Sequence, residues 1–344
     1  MPSSLTADPD SSVDGIDESA GGIDEPKLIH HGVVPQFTLT SVYSIWMWSP
    51  VGVALSVLFS FVYAFCMLAA RRRGGKLSVL RAVAFYALGV GSLVLATDGG
   101  LAVYRGVSFV AAAAQSGVLA SVTPIGIALG DPVGVLRQAF GSGDIRWLHR
   151  VLTARTSRVL MFPAFASLLA VGVHLGLFVT PWLATSLLSG WGRELTYMAL
   201  LGSGLLFVLP LLGDQEMLPV WCTPPIRVVI AFADGLLDAL PGVVLMAWPR
   251  LLGPPVPAYL AALDPLWQQQ LGGGVMFALA ELVGLPLLAA VVRRWVRSED
   301  RVAKEVDAAL DLAQGQKAQA DPASVETDRP WWHDDPRFAG RFRP

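Results

Sequence analysis

The sequence predicts an all-α membrane protein, a seven-transmembrane helix bundle, and three observations predict it. Hydrophobic residues make up 53% of the 344 and charged residues only 15%, with a mean hydropathy of +0.54. Soluble domains hold about 45–50% apolar and roughly a quarter charged residues, so this chain has too little polar surface to stay wetted. Seven apolar runs each reach the ~20 residues that a helix needs to cross a hydrocarbon core of ~30 Å. The basic residues between these runs fall mainly on one side.

In chain order the runs are about Ser44–Ala70, Leu77–Thr97, Leu101–Leu129, Ser157–Pro181, Arg193–Gly213, Ile226–Trp248 and Gln269–Val292. They are continuously apolar rather than alternating, which fits helices and not barrel strands. Pro124, Pro163, Pro210, Pro241 and Pro286 fall inside them. Membrane helices tolerate such breakers because neighbouring groups satisfy the freed backbone. The first inter-span loop carries Arg71, Arg72, Arg73, Lys76 and Arg81, and the third carries Arg137, Arg146, Arg150, Arg155 and Arg158. Arg227 lies in the fifth loop, and Arg293, Arg294, Arg297, Arg301 and Lys304 follow the last run. Only Lys27, Arg105, Arg193 and Arg250 face them, which predicts an outside N-terminus and a cytoplasmic C-terminus in a plasma membrane. Nine of the eleven tryptophans sit at or near span ends, as an interfacial belt requires.

The flanks are different material. Residues 1–40 hold seven acids against a single Lys27, among Ser, Gly and Pro, and read as a disordered acidic arm outside the membrane. The arm lacks the basic start and early apolar run of a cleavable signal peptide. His30–His31 is a lone pair short of a third ligand, so a solvated linker is the simpler reading. Residues 41–297 form the membrane domain, and 298–344 a cytoplasmic amphipathic helix and disordered tail. Ser298–Glu299–Asp300 resembles a helix start, and Val302, Val306, Ala309, Leu310 and Ala313 make an apolar stripe that predicts docking on the membrane surface or the loops. Trp331, Trp332, His333, Phe338 and Phe342 mark the tail as a partner-binding segment or a disordered one.

A net charge of −2 supports no phosphate-tracking face, so no nucleic acid is expected. Cys66 falls inside a span and Cys222 in a cytoplasmic loop, which excludes a disulfide framework and a CxxC metal site. No phosphate loop, nucleophile elbow, zinc-protease or haem-attachment motif is present, and no base, nucleophile and orienting group can be assembled. The chain is not expected to be an enzyme.

Ionisable side chains at membrane depth are expensive, roughly 2.5–3.5 kcal/mol for an aspartate at a helix centre, so each needs a reason. Asp234 and Asp238 share one face of the sixth run at i, i+4. Glu281 in the seventh run lies at a similar depth, and His174 sits in the fourth. Together these four are a candidate buried polar cluster that relays protons or holds a cation. The alternative is structural: protonated carboxyls bonding a carbonyl or a serine hydroxyl between helices. Gln268–Gln269–Gln270 followed by Gly272–Gly273–Gly274 reads first as a close helix-packing motif with amide donors at its mouth. Met47, Met198, Met246 and Met276 offer soft sulfur near the same end, though eight methionines are ordinary in so apolar a chain.

The chain also resembles the CtaG-type cytochrome c oxidase assembly factors of actinobacteria, over about residues 45–305. The likeness rests on Gln269–Gly274, Met276, Glu281–Leu282 and Arg293–Asp300. It continues upstream in Asp238–Met246, in Gly204–Phe207 with Pro210–Gly213, and in Phe178–Pro181. Thr123–Pro124 with Leu129–Val133 completes it. The resemblance implies seven spans and a role in maturing haem–copper oxidases, by copper handling at the outer membrane face, with oxidase subunits as partners. The family's copper chemistry would use histidine, and here the sequence departs. Ala112–Ala113–Ala114–Gln115–Ser116 stands where the family has His-Met-x-x-His. Arg193, Tyr197 and Ala199 replace the fifth-span histidines, Asp238 the sixth-span one, and Gln268 the family's aspartate, while His174 is new. Substituted metal ligands would be drawn from Asp238, His174, Gln269, Met246 and Met276. Three functions follow: a copper handler with those ligands, a metal-free scaffold for a respiratory complex, or a small proton-coupled transporter using Asp234, Asp238 and Glu281.

Overall fold

The computed structural model describes residues 41–75, 78–144, 162–212, 222–254, 256, 259 and 264–320. The acidic arm, His30–His31 and the Trp331–Trp332 tail lie outside them. The described residues form helices and turns, without a strand. Six helices are long and apolar enough to cross a membrane, or seven if one bent pair counts as a span. This is a multi-pass membrane protein.

Helix α1 is Pro50–Arg72. Ser49 caps it, its hydroxyl accepting from Gly52 N at 3.0 Å, and Pro50 at the first position needs no partner for a missing N–H. Gly52, Ser56, Tyr63, Cys66 and Ala70 are buried at helical spacing, while Val57, Phe61, Phe65 and Leu68 are exposed on the lipid side. Span α2, Val79–Tyr104, and span α3, Phe109–Gly141, are each interrupted. A wide π turn occupies Phe85–Val90 in α2 and another Val118–Val122 in α3. The third span thus begins at Phe109 rather than at Leu101. Asp98 and Gly99 break α2, Gly100–Tyr104 adds one further turn to it, and Ser108 caps α3 by accepting from Ala111 N at 3.4 Å.

The fourth crossing differs most from expectation. Helix α4, Pro163–Val179, meets α5, Trp182–Leu188, at a bend of 71°. Seventeen helical residues rise only about 26 Å, short of a full hydrocarbon core. A broken helix pair was not expected here, because Thr180–Pro181 continues an apolar run. Pro181 nevertheless disfavours helical backbone at Thr180, which is extended. Helices α6, Gly190–Leu212, and α7, Pro224–Ala247, follow.

Helix α8 runs unbroken from Pro265 to Ala320, 56 residues. The expected helix start at Ser298 is therefore corrected. The Ser298 hydroxyl donates to Trp295 O at 2.7 Å, within the same helix, instead of capping a new one. Arg, Val, Glu, Lys and Ala dominate the segment, and no proline interrupts it after Pro286. Along this extension Val302, Val306 and Leu310 are all more than half exposed.

The glycine run of α8 packs as its composition suggests. A Cβ on Gly273 would lie 2.7 Å from Gly242 O, and one on Gly242 would lie 2.7 Å from Phe277 N, so α7 and α8 touch backbone to backbone. Two apolar cores result. The larger gathers Tyr63, Leu93, Leu119, Tyr197 and Leu200, and the smaller gathers Phe207, Leu211, Leu287 and Val291 near the basic end of the bundle.

Candidate functional site

Two buried polar clusters stand out, and only one was visible as such in the sequence. That one lies between α3, α4 and α7. The Ser167 hydroxyl donates to Asp234 Oδ1 at 2.5 Å, and the Ser121 hydroxyl donates to Asp238 Oδ2 at 3.2 Å. Ser121 belongs to the π turn of α3, a distortion often found where a helix redirects a side chain. Both aspartates line a cavity of about 30 Å³ with Ser121, Gly204, Gly235 and Gly284. That is room for about one water molecule. His174 is 4% exposed and within electrostatic reach of Asp238, with its Nδ1 held 3.0 Å from Ala170 O. Glu281 is half-buried on α8 and belongs neither to this cavity lining nor to these hydrogen bonds.

The second cluster lies where α1, α2, α3, α5 and α6 meet, at the end of the bundle away from Arg71 and Arg81. Ser49 joins two acids: its N–H donates to Asp98 Oδ1 at 2.8 Å and its hydroxyl to Glu194 Oε2 at 2.7 Å. Thr97 also donates to Asp98, at 2.7 Å, and Arg193 pairs with Glu194 at 3.1 Å. Arg105 is 3% exposed; it donates to the Ser186 hydroxyl at 2.6 Å and stacks 5.5 Å from the Tyr197 ring centroid. Gln115 donates to both Ala96 O at 2.6 Å and the Tyr197 hydroxyl at 3.0 Å. Beside it, Tyr259 donates its hydroxyl to Arg105 O, and burial pushes that phenol above its usual range while Arg105 acts in the opposite direction. A cavity of about 120 Å³ adjoins Tyr259, Phe109, Phe178 and Gln269.

Sequence reasoning missed this cluster. It took Arg105 as an orientation signal and Arg193 as that and as the replacement of a family histidine, and left Asp98, Glu194 and Ser49 unremarked. The partners sit 49 and 145 residues apart in sequence, so no local spacing reveals them. The one available sign was a charge of each type beside a span end, in Thr97–Asp98 and Arg193–Glu194.

The five substituted metal candidates do not gather into one site. Gln269 is 1% exposed and fully engaged. Its Oε1 accepts from Leu252 N at 2.7 Å, and its Nε2 donates to Leu245 O at 3.3 Å and Arg250 O at 3.2 Å. It therefore clamps the α7–α8 connection. Met276 is buried in the larger core, whereas Met246 is 43% exposed. Met246 also stands eight residues, about 12 Å of helix rise, from Asp238. Metal–ligand bonds of about 2–2.3 Å cannot span that gap. Among the described residues, no three His, Cys, Asp or Glu side chains group as metal ligands.

The model of the cytochrome c oxidase caa3 assembly factor family matches residues 61–298, well over half of the chain. The chain belongs to that family. Similar proteins include uncharacterized proteins of Mycobacterium bovis and Mycobacterium tuberculosis, each 28% identical over 290 residues, covering 80% of this chain and 43% of the relative. One of Mycobacterium leprae is 24% identical over 285 residues, covering 78% and 42%. The chain thus spans less than half the length of these relatives. No solved structure matches it.

Where the family resemblance places histidines, this member of the family has groups that are poor ligands for copper. Ala112 supplies no donor, and the Ser116 hydroxyl is spent on Ala113 O at 2.8 Å. The Tyr197 hydroxyl accepts from Gln115, and Arg193 is a cation already paired with Glu194. Copper(I) favours thioether and imidazole, and a guanidinium beside it would repel it.

Proposed function

We propose that the chain assists assembly of a haem–copper oxidase by binding an oxidase subunit within the plasma membrane, as a non-enzymatic partner that holds no copper. Family membership supports the assembly role. The observation that carries the metal-free half is the Gln115–Tyr197 and Arg193–Glu194 bonding at the places of the family's histidines. The arginine-rich loops would lie in the cytoplasm, which puts the Ser49–Glu194 cluster toward the outer face. Lipid covers the exposed Val57, Phe61 and Phe65 row of α1, and an oxidase helix is the natural neighbour for such a face.

The experiment is gene deletion followed by complementation. Loss of assembled oxidase, read from its haem spectrum, with rescue by the wild-type gene and none by added copper, is the expected result. Co-purification of an oxidase subunit with the tagged chain would accompany it. Stoichiometric copper in protein purified under reducing, copper-replete conditions would overturn the metal-free half. Unchanged oxidase levels in the deletion strain would overturn the whole.

A further inference from the structure

The extension of α8 carries a repeat that the rest of the fold leaves unused. Leu282, Ala289, Val296, Ala303 and Leu310 recur every seventh residue. A second row lies three residues further on, from Leu285 through Val306 to Ala313, and is apolar except at Glu299. Leu282 is 70% exposed, Val296 52%, Val306 51% and Leu310 55%, and of the two rows only Val292 is partly covered. The residues that α8 turns inward, Leu287 and Val291, occupy other positions of the seven-residue repeat. Arg297, Arg301 and Lys304 also fall outside the seam, giving the extension a polar side.

A helix lying on a flat surface needs only the 3.6-residue period. Apolar residues alternately three and four apart, kept over four or more turns, are what another helix with the same repeat requires. The seam also crosses an environmental boundary. Leu282 and Leu285 lie within the apolar part of α8, where lipid alone can cover them. Val306 and Leu310 lie beyond Arg293–Arg294, where it cannot. A soluble partner would cover only the outer half. A second copy, leaving the same membrane in the same direction, covers both halves with an identical row.

We propose that this face of α8, Leu282 to Ala313, pairs in parallel with the same face of a second copy. Glu299 interrupts the seam. It accepts from Trp295 Nε1 of its own helix at 3.1 Å, and in the pair it meets its counterpart, which weakens the association and fixes its register.

The test uses the full chain in native membranes. Leu310→Cys and Arg301→Cys variants are treated with a short bismaleimide; Cys66 and Cys222 are buried and serve as the background in the unsubstituted protein. Leu310→Cys is expected to give a band of twice the chain mass, and Arg301→Cys to lose it. A Val306→Glu, Leu310→Glu double variant is expected to lose the dimer in light scattering of the detergent-solubilised protein; both positions are exposed, so the bundle keeps its fold. Glu299→Leu is expected to raise the dimer fraction. Equal crosslinking from both cysteines, monomer from the unsubstituted chain at every concentration, or a Leu310→Cys crosslink to a different protein would each overturn the proposal.

Discussion

The two buried polar clusters solve the same problem in opposite ways. Around Ser49 the charges alternate: Glu194 faces Arg193, and Asp98 takes two donors from separate helices. Between α3, α4 and α7 two carboxyl groups of one type stand a single turn apart, each met by one serine hydroxyl. A buried charge whose partner is removed is strongly destabilising, whereas replacing one of two like groups by a neutral amide removes a conflict. The first cluster therefore reads as a joint between helices and the second as a site kept despite its cost.

That contrast can be broken most directly at Glu194. Glu194→Ala strands Arg193 and the Ser49 hydroxyl, and should lower stability by about 3–5 kcal/mol, read from thermal unfolding in detergent. A loss below 1 kcal/mol would make the cluster as dispensable as a surface pair. Gln269→Leu removes three bonds to backbone and leaves the Leu252 N–H without its acceptor, for a loss of roughly 2–3 kcal/mol in the same assay.

Tyr259→Phe removes one buried hydroxyl bond and should cost about 1 kcal/mol. It carries a pH signature as well. Burial raises the folded-state pKa of Tyr259, so the stability from its protonated form is complete below the unfolded value of about 10 and is lost as pH climbs above it. The variant should show a flatter stability curve in that alkaline range than the parent, and parallel curves would exclude the effect. The smallest change is expected at the other cluster. Asp238→Asn keeps the shape and relieves like-charge proximity, so the unfolding temperature should hold or rise slightly. A large drop would place Asp238 with Glu194 as a structural joint.

Much of the architecture was legible without coordinates. Composition and run length give the spans, and the glycines at 272–274 mark a close helix crossing that Gly242 completes. The aspartates at i, i+4 share a face by helical geometry alone. The breaks were less legible. Thr180–Pro181 hides a 71° bend inside an apolar run, because hydropathy registers solvent preference and not backbone direction. At Ser298 the opposite error arises: a serine followed by two acids looks like a cap, but the good helix formers on both sides carry the turn straight through.

By itself the sequence determined the solvent. With so few charges, its long runs can only be buried in lipid, and backbone satisfaction there requires helices. Which polar groups meet was decided by the tertiary structure alone. Hydrogen bonding demands contact at about 3 Å, and Ser49, Asp98 and Glu194 reach it only once three helices far apart in sequence have packed together.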